Sequence, residues 1–313
     1  MFELQKDIII RKYNNESSNM DEYLDKIELE IINHTSNSLE FDLKNVDCSI
    51  ANALRRILIA ELPTMAIEYV NFYKYNGVIP EEILAHRLGL LPILIDPKVF
   101  EYKNSTDTEN EKNALKFVLK KQNNMNDIVV VTSDDIKWVP LGNQKDTLVP
   151  RPRIKSGIPI TKICNGQEIE IEMYAIKGIG KDHAKWSPVC PVSYRLHPAI
   201  EIKDIYDEDA FKLQKCFSSG VIDVSRCPET NRMKAFVSNQ RLDTMSREAL
   251  RHPEFDGKVF ISKIPNHFIF KIQTIYIDPI VLLQQSLLVL QRKCRVIKEE
   301  ITEKFNYGEK SSI

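Results

Sequence analysis

Apolar residues first alternate with polar ones at Ile27, Leu29 and Ile31, set against Lys26, Glu28 and Glu30. That two-residue period predicts a half-buried strand, and Leu39, Phe41 and Leu43 predict a second. The cluster from Asn33 to Ser38 supplies turn residues, so the pair reads as a hairpin. The period then changes. Ile50, Leu54, Ile57 and Leu58 recur at helical spacing and predict a helix over about 50–62 with one buried stripe. Ser49 is the expected N-cap, and Pro63 cannot continue the helix. Arg55 and Arg56 are consecutive, so they project about 100° apart around its axis.

Val70 and Phe72 suggest a further strand. The polar stretch from Glu101 to Lys112 reads as a surface loop. Strands are expected at 115–119, at 128–131 and at 169–176, where Ile169, Ile171, Met173 and Ala175 alternate. The proline- and glycine-rich segment 140–159 reads as an irregular connection. Residues 239–253 read as a capped short helix, with Asp243 or Thr244 as cap and Pro253 as stop. Phe268, Phe270, Ile272 and Thr274 share one strand face. Asp278 and Pro279 make a cap and first-turn pair. After them Ile280, Leu283, Leu287, Leu290, Cys294, Ile297 and Ile301 are spaced 3, 4, 3, 4, 3, 4 on one long helix. Leu282, Val289 and Val296 form a second row. Two rows exceed what a single core contact needs, so one is expected on the chain's own sheet and the other on a partner; a helix fully buried within one chain is the alternative, since a broad apolar face also occurs in ordinary cores.

At 313 residues the chain is long enough for about two domains and a substantial core. Its 43 Lys plus Arg against 44 Asp plus Glu leave a net charge of −1. The basic excess that phosphate neutralisation needs is missing, which argues against direct base-specific nucleic-acid binding. The six cysteines show no C-x-x-C knuckle and fit a reducing intracellular compartment. Charges interrupt the N-terminal apolar residues, so no secretory signal is expected, and no stretch is apolar enough to span a membrane.

Candidate chemistry is sparse. Gly178 and Gly180, with Lys177, Lys181, His183 and Lys185, invite a phosphate-loop reading. The third glycine of a dinucleotide fingerprint is missing, however, and the spacing is wrong for a P-loop. A tight turn with Trp186 as anchor is the alternative. The acidic run from Asp204 to Asp209 lacks the glycine and spacing of a calcium loop and reads as a solvated charge run. Neither G-x-S-x-G nor H-E-x-x-H occurs, so neither a nucleophile elbow nor a zinc hydrolase is supported.

The run Ala51-Asn52-Ala53-Leu54-Arg55-Arg56-Ile57-Leu58-Ile59-Ala60-Glu61-Leu62-Pro63, with Val78 to Pro92 after it, resembles the signature of the alpha-like subunits of RNA polymerases. Lys177 to Val189, Ser218 to Val224, Arg241 to His252, His267 to Phe270 and the terminal helix extend the resemblance over most of the chain from about 26 to 305. Within that family it is most similar to the larger alpha-like subunit shared by eukaryotic RNA polymerases I and III.

The resemblance implies an α+β fold. A discontinuous dimerisation domain would comprise 25–64 and 262–305, with an inserted mainly-β domain at 65–261. A flexible extension over 1–24 and a tail over 306–313 would flank them. It also implies a non-catalytic scaffold acting in the nucleus, nucleolus and nucleoplasm included, for synthesis of rRNA, tRNA and 5S RNA. Its implied partners are the smaller alpha-like subunit, the second-largest subunit and the rest of the polymerase I and III cores. The implied contacts are Arg55, Arg56 and Leu58 on the first helix, and Leu283, Leu287, Leu290, Cys294, Ile297 and Ile301 on the last. No cofactor is implied. The RNA polymerase II paralogue, the alternative member, carries a clustered-cysteine zinc loop in the inserted domain. Here residues 93–163 contain no cysteine, so no metal is expected.

Overall fold

The computed structural model describes residues 2–4, 9–11, 24–104, 106–228 and 230–310. Five helices occur among them: α1 (Cys48–Ala60), α2 (Glu81–Gly89), α3 (Gln144–Thr147), α4 (Asp207–Cys216) and α5 (Pro279–Lys310). Sixteen strands accompany them. They begin with β1 (Phe2–Leu4), β2 (Ile9–Arg11), β3 (Glu28–Thr35), β4 (Ser38–Lys44), β5 (Pro63–Tyr75), β6 (Ile93–Leu94), β7 (Ala114–Gln122) and β8 (Val129–Thr132). They continue with β9 (Ile136–Val139), β10 (Arg153–Ile154), β11 (Pro159–Ile163), β12 (Glu168–Ile179), β13 (Val189–Ile202), β14 (Ile222–Arg226), β15 (Met233–Val237) and β16 (Val259–Thr274). The chain is thus α+β, as the periodicity and the resemblance require. It forms two compact units, one of residues 1–34, 39–52 and 193–271, the other of residues 35–38, 53–192 and 272–313.

The first unit is built on a six-stranded sheet of order β2-β1-β16-β4-β3, with β13 also on β16. The predicted hairpin is there as β3 and β4. Leu39, Phe41 and Leu43 are buried, and the Phe41 ring stacks on Phe270 at 5.0 Å between centroids. Tyr194 closes on the rings of Phe268 and Phe270 at 5.4 and 5.2 Å. The expectation for β3 needs correction. Every residue of this strand is exposed, because β3 is the terminal strand of the sheet and neither of its faces is covered. Of the extension over 1–24, Phe2–Leu4 and Ile9–Arg11 are strands, with β1 hydrogen-bonded antiparallel to β16. The remainder up to residue 23 lies outside the described residues, as do 311–313 of the tail, whose residues 306–310 continue α5. A second core in this unit gathers Ile200, Leu213, Val221, Phe255 and Ile261.

The segment predicted as a capped helix over 239–253 is instead three single 3-10 turns, Gln240–Leu242, Glu248–Arg251 and Pro253–Phe255. Left-handed backbone at Met245 and Arg247 interrupts any longer helix, and Asp243 is buried instead of capping.

The second unit rests on a four-stranded sheet of order β5-β12-β7-β9. The alternation read in β12 is real: Ile169, Ile171, Met173 and Ala175 are all buried against Phe117, Leu119, Leu84 and Leu88. Between 140 and 159 the irregular path is punctuated by α3 and β10. Gln144 organises it by donating its amide to the carbonyls of Glu111 and Ala114. Tyr276 is half-buried, donates to the Ile95 carbonyl at 3.4 Å, and burial pushes its phenol up to about 12.

Candidate functional site

The long helix α5 starts as its sequence says. The Asp278 carboxylate accepts from the Ile280 amide at 2.7 Å, and the Asp278 carbonyl accepts from Leu282 at 3.2 Å. In its first turns Leu282, Leu283 and Ser286 are buried, and the Ser286 hydroxyl donates to the Leu283 carbonyl at 2.7 Å. Seven residues on, the same face becomes Val289, Leu290 and Lys293, and after another seven it is Val296, Ile297 and Glu300. Val289 and Leu290 are half-buried, and every described side chain from Gln291 to Lys304 is exposed.

The expected division of the helix into a self-packing row and a partner row is therefore corrected. Both rows pack at the start of α5 and both emerge along its length. Leu283 is 8% exposed, whereas Leu287 is 47%, Ile297 56% and Ile301 50% exposed, and Cys294 is exposed too. The segment from Leu287 to Lys304 extends about 27 Å at 1.5 Å per residue. A helix without packing is marginal in water, and burying each exposed leucine or isoleucine would stabilise by about 1.5–3 kcal/mol. The geometry suits a second helix laid along this face. Lys293 marks its boundary by bonding Glu61 at 2.5 Å.

Helix α1 presents less than the sequence suggested. Its cap is Asp47, whose carboxylate accepts from the Ser49 amide at 2.8 Å, and not Ser49 itself. A carboxylate just ahead of the first helical residue reaches the free amides better than a hydroxyl already inside the helix. Ala51, Leu54, Ile57 and Leu58 are buried, while Ile50 is exposed, so the stripe is rotated from the one expected. Leu58 is fully buried at 0% exposure and cannot meet a partner, which removes it from the candidate contacts. Leu283, buried at the root of α5, goes with it. Arg55 is half-buried and Arg56 exposed, divergent as consecutive helical residues must be.

The glycine pair of the supposed phosphate loop is spent on packing. A Cβ on Gly178 would lie 2.4 Å from the Trp186 indole, and one on Gly180 would lie 2.1 Å from the Ile59 carbonyl. The Lys181 amide donates to the Ala60 carbonyl at 2.8 Å. Lys185 is committed as well: its ammonium bonds the Ile67 carbonyl at 2.9 Å, pairs with Glu68 and lies over the Trp186 ring. Trp186 is buried and donates to the Ile176 carbonyl at 3.2 Å. This is an anchored turn with no open cradle of amides, as the alternative reading held. A cleft of about 690 Å³ beside it is lined by Tyr69, His86, Leu90 and His183 among others.

In the acidic run, Asp204 bonds Lys234 at 2.6 Å and Asp207 bonds Arg232 at 2.7 Å. Among the described residues no group of three or more His, Cys, Asp or Glu is placed to hold a metal ion, and no helix is long and apolar enough to cross a membrane.

One cluster around the buried Asp42 escaped the sequence reading. Arg241 bonds Asp42 at 2.5 Å and Glu40 at 2.7 Å, and His267 reaches the other Asp42 oxygen at 2.9 Å. The His197 ring stacks on His267 at 4.4 Å. Burial works to raise the Asp42 carboxyl, but hydrogen bonds and charge from Arg241 and His267 outweigh it and hold the group below the usual carboxylate range. Burial, and then the neighbouring His267, depress the His197 imidazole. Nothing in the sequence marks Asp42, because its partners lie about 200 positions away.

A family model of the RNA polymerase Rpb3/Rpb11 dimerisation domain matches residues 40–294. The chain is 41% identical over 293 residues to a mouse protein named "DNA-directed RNA polymerases I and III subunit RPAC1", covering 87% of this chain and 84% of the relative. Its likeness to the Saccharomyces cerevisiae protein of the same name is 36% over 302 residues, covering 90% and 89%. To a Dictyostelium discoideum protein named "DNA-directed RNA polymerase II subunit rpb3" it is 39% identical over 181 residues, covering 55% and 59%.

Proposed function

The chain belongs to the Rpb3/Rpb11 dimerisation-domain family of RNA polymerase subunits, and on that premise we propose that it is the larger alpha-like subunit of RNA polymerases I and III. It is a non-catalytic scaffold that pairs with the smaller alpha-like subunit and then docks the second-largest subunit. It works in the nucleus, in polymerases making rRNA, tRNA and 5S RNA. The observation that carries the pairing role is α5, whose apolar rows leave the chain's own core between Leu287 and Leu290 and are exposed from there to Ile301. Leu287, Leu290, Cys294, Ile297 and Ile301 are the pairing face. Arg55 and Arg56 contact the second-largest subunit. The dimerisation domain is drawn from 25–64 and 262–305, with 65–261 inserted.

The reach of the likeness supports polymerases I and III over II: relatives named for I and III align over 87–94% of this chain, relatives whose names include polymerase II over 55–75%. The test is affinity purification of the tagged chain from its own cells, with mass spectrometry of what accompanies it. Recovery of the smaller alpha-like subunit with the largest subunits of both polymerases I and III is the expected outcome. Recovery of polymerase II alone would overturn the paralogue. Recovery of no polymerase subunit would overturn the scaffold role.

A further inference from the structure

We propose that the second unit carries a docking groove for a short apolar segment bearing carboxylates, supplied by another subunit of the assembled polymerase. This rests on the scaffold reading above but uses a surface apart from the helical pairing face. The groove, about 350 Å³, runs beside the two-stranded sheet of β8 and β11. Its apolar lining includes Val78, Ile128, Val130 and Ile160. Only Ile160 is buried in the chain's own core. Val78 is 78% exposed, Ile128 63% and Val130 42%. Single exposed aliphatics are ordinary, but several converging on one concave site mark an interaction surface.

Charge says what kind of segment fits. Two cations rim the groove. Lys162 is the cross-strand neighbour of Val130, so its side chain rises on the same face as that valine. Arg87 is exposed and lines the groove, and its guanidinium donates to the Pro159 carbonyl at 3.0 Å. Among the described residues no carboxylate is ion-paired to either cation. An occupant with apolar side chains on the floor and one or two carboxylates at the rim satisfies both features. A nucleic-acid backbone would leave the aliphatic floor wet, which disfavours it as the occupant. The groove's volume, at the low end of the ~300–1,000 Å³ of ligand sites, limits the occupant to a few side chains.

The test is site-specific photocrosslinking in the intact purified polymerase, with a photoreactive amino acid at Ile128 or at Val78, both exposed. A control probe at Ile297 reads the helical pairing separately. The expected result is that both groove probes crosslink one protein segment that is apolar and carries Asp or Glu. Lys162→Glu should cut the yield about tenfold, the change that ~1.4 kcal/mol produces, while the Ile297 crosslink stays unchanged. If Ile297 crosslinks the smaller alpha-like subunit and neither groove probe crosslinks protein, the groove is overturned and the scaffold reading stands. If Ile297 finds no alpha-like partner, the pairing role of α5 is what fails. Crosslinks from the groove to nucleic acid, or to a segment without acidic residues, or a yield insensitive to Lys162→Glu, would each overturn the proposal.

Discussion

Arg241 and Asp42 are 199 positions apart in sequence, yet the guanidinium of one meets the buried carboxylate of the other at 2.5 Å. The bond ties the irregular 239–253 segment to strand β4 of the six-stranded sheet. Arg241 also reaches Glu40, so one side chain bridges two positions of β4.

Removing one partner of such a pair leaves the other charged in a site where it cannot hydrate. Arg241→Ala should therefore destabilise the first unit by about 3–5 kcal/mol. Adding Asp42→Asn should recover part of the loss, since the stranded charge disappears. Denaturant unfolding of the purified chain and its variants measures both.

Acid should weaken the same cluster in two steps. Asp42 is depressed in the fold, so the unfolded chain takes up its proton first as pH falls. Its contribution is complete above the ordinary carboxylate value near ~3.9 and is lost as pH drops through the lowered folded one. His197 is depressed too, so the unfolded chain binds that proton preferentially below ~6.5, and stability falls there as well. His197→Phe keeps a ring on His267 and should flatten the upper window only. A stability–pH curve unchanged by that substitution would refute this assignment.

Position along α5 should matter more than position around it. Leu283→Asp buries a charge in the chain's own core and should unfold it. Ile297→Asp should alter the isolated fold by no more than about 0.5 kcal/mol, as at other exposed sites, yet abolish co-purification with the smaller alpha-like subunit. Circular dichroism and pull-down of the two variants, read together, separate the effects. Normal pairing by both Ile297→Asp and Leu287→Asp would remove α5 from the interface.

Replacing Arg55 and Arg56 with alanine should leave the alpha-like pair intact while weakening recruitment of the second-largest subunit. Losing paired interface charge costs about 2–5 kcal/mol. Sedimentation of the reconstituted subunits reads the outcome directly.

Gly180→Ala should lower Tm by several degrees, because a methyl group 2.1 Å from the Ile59 carbonyl forces backbone apart. Lys181→Ala, at an exposed side chain in the same turn, should leave Tm within a degree, and titration calorimetry with ATP should give no saturable heat for either protein.

The periodicities were legible because each element's inner face is written locally. The β12 alternation and the Phe268–Thr274 face follow from the two-residue pleat, and the rows of α5 follow from the 3.6-residue turn. Where reading failed, the missing fact was what lay beside the element. Leu29 and Ile31 alternate like a core strand, yet β3 is a sheet edge. Leu58 sits on an interface-like helix and is wholly internal. The caps show the same limit: Asp47 and Ser49 are both good capping residues, and only the start of the hydrogen-bond ladder chooses between them.

The sequence by itself determined the fold class, the family and the two apolar rows of α5, since these depend on side-chain order and local sterics. Tertiary structure alone decided where the body of the protein ends along α5, and so which of seven evenly spaced residues remain for a partner. It also brought Arg241 and His267 onto the buried carboxylate of Asp42. Burial and ion pairing depend on distances between residues remote in the chain, and no local period encodes those distances.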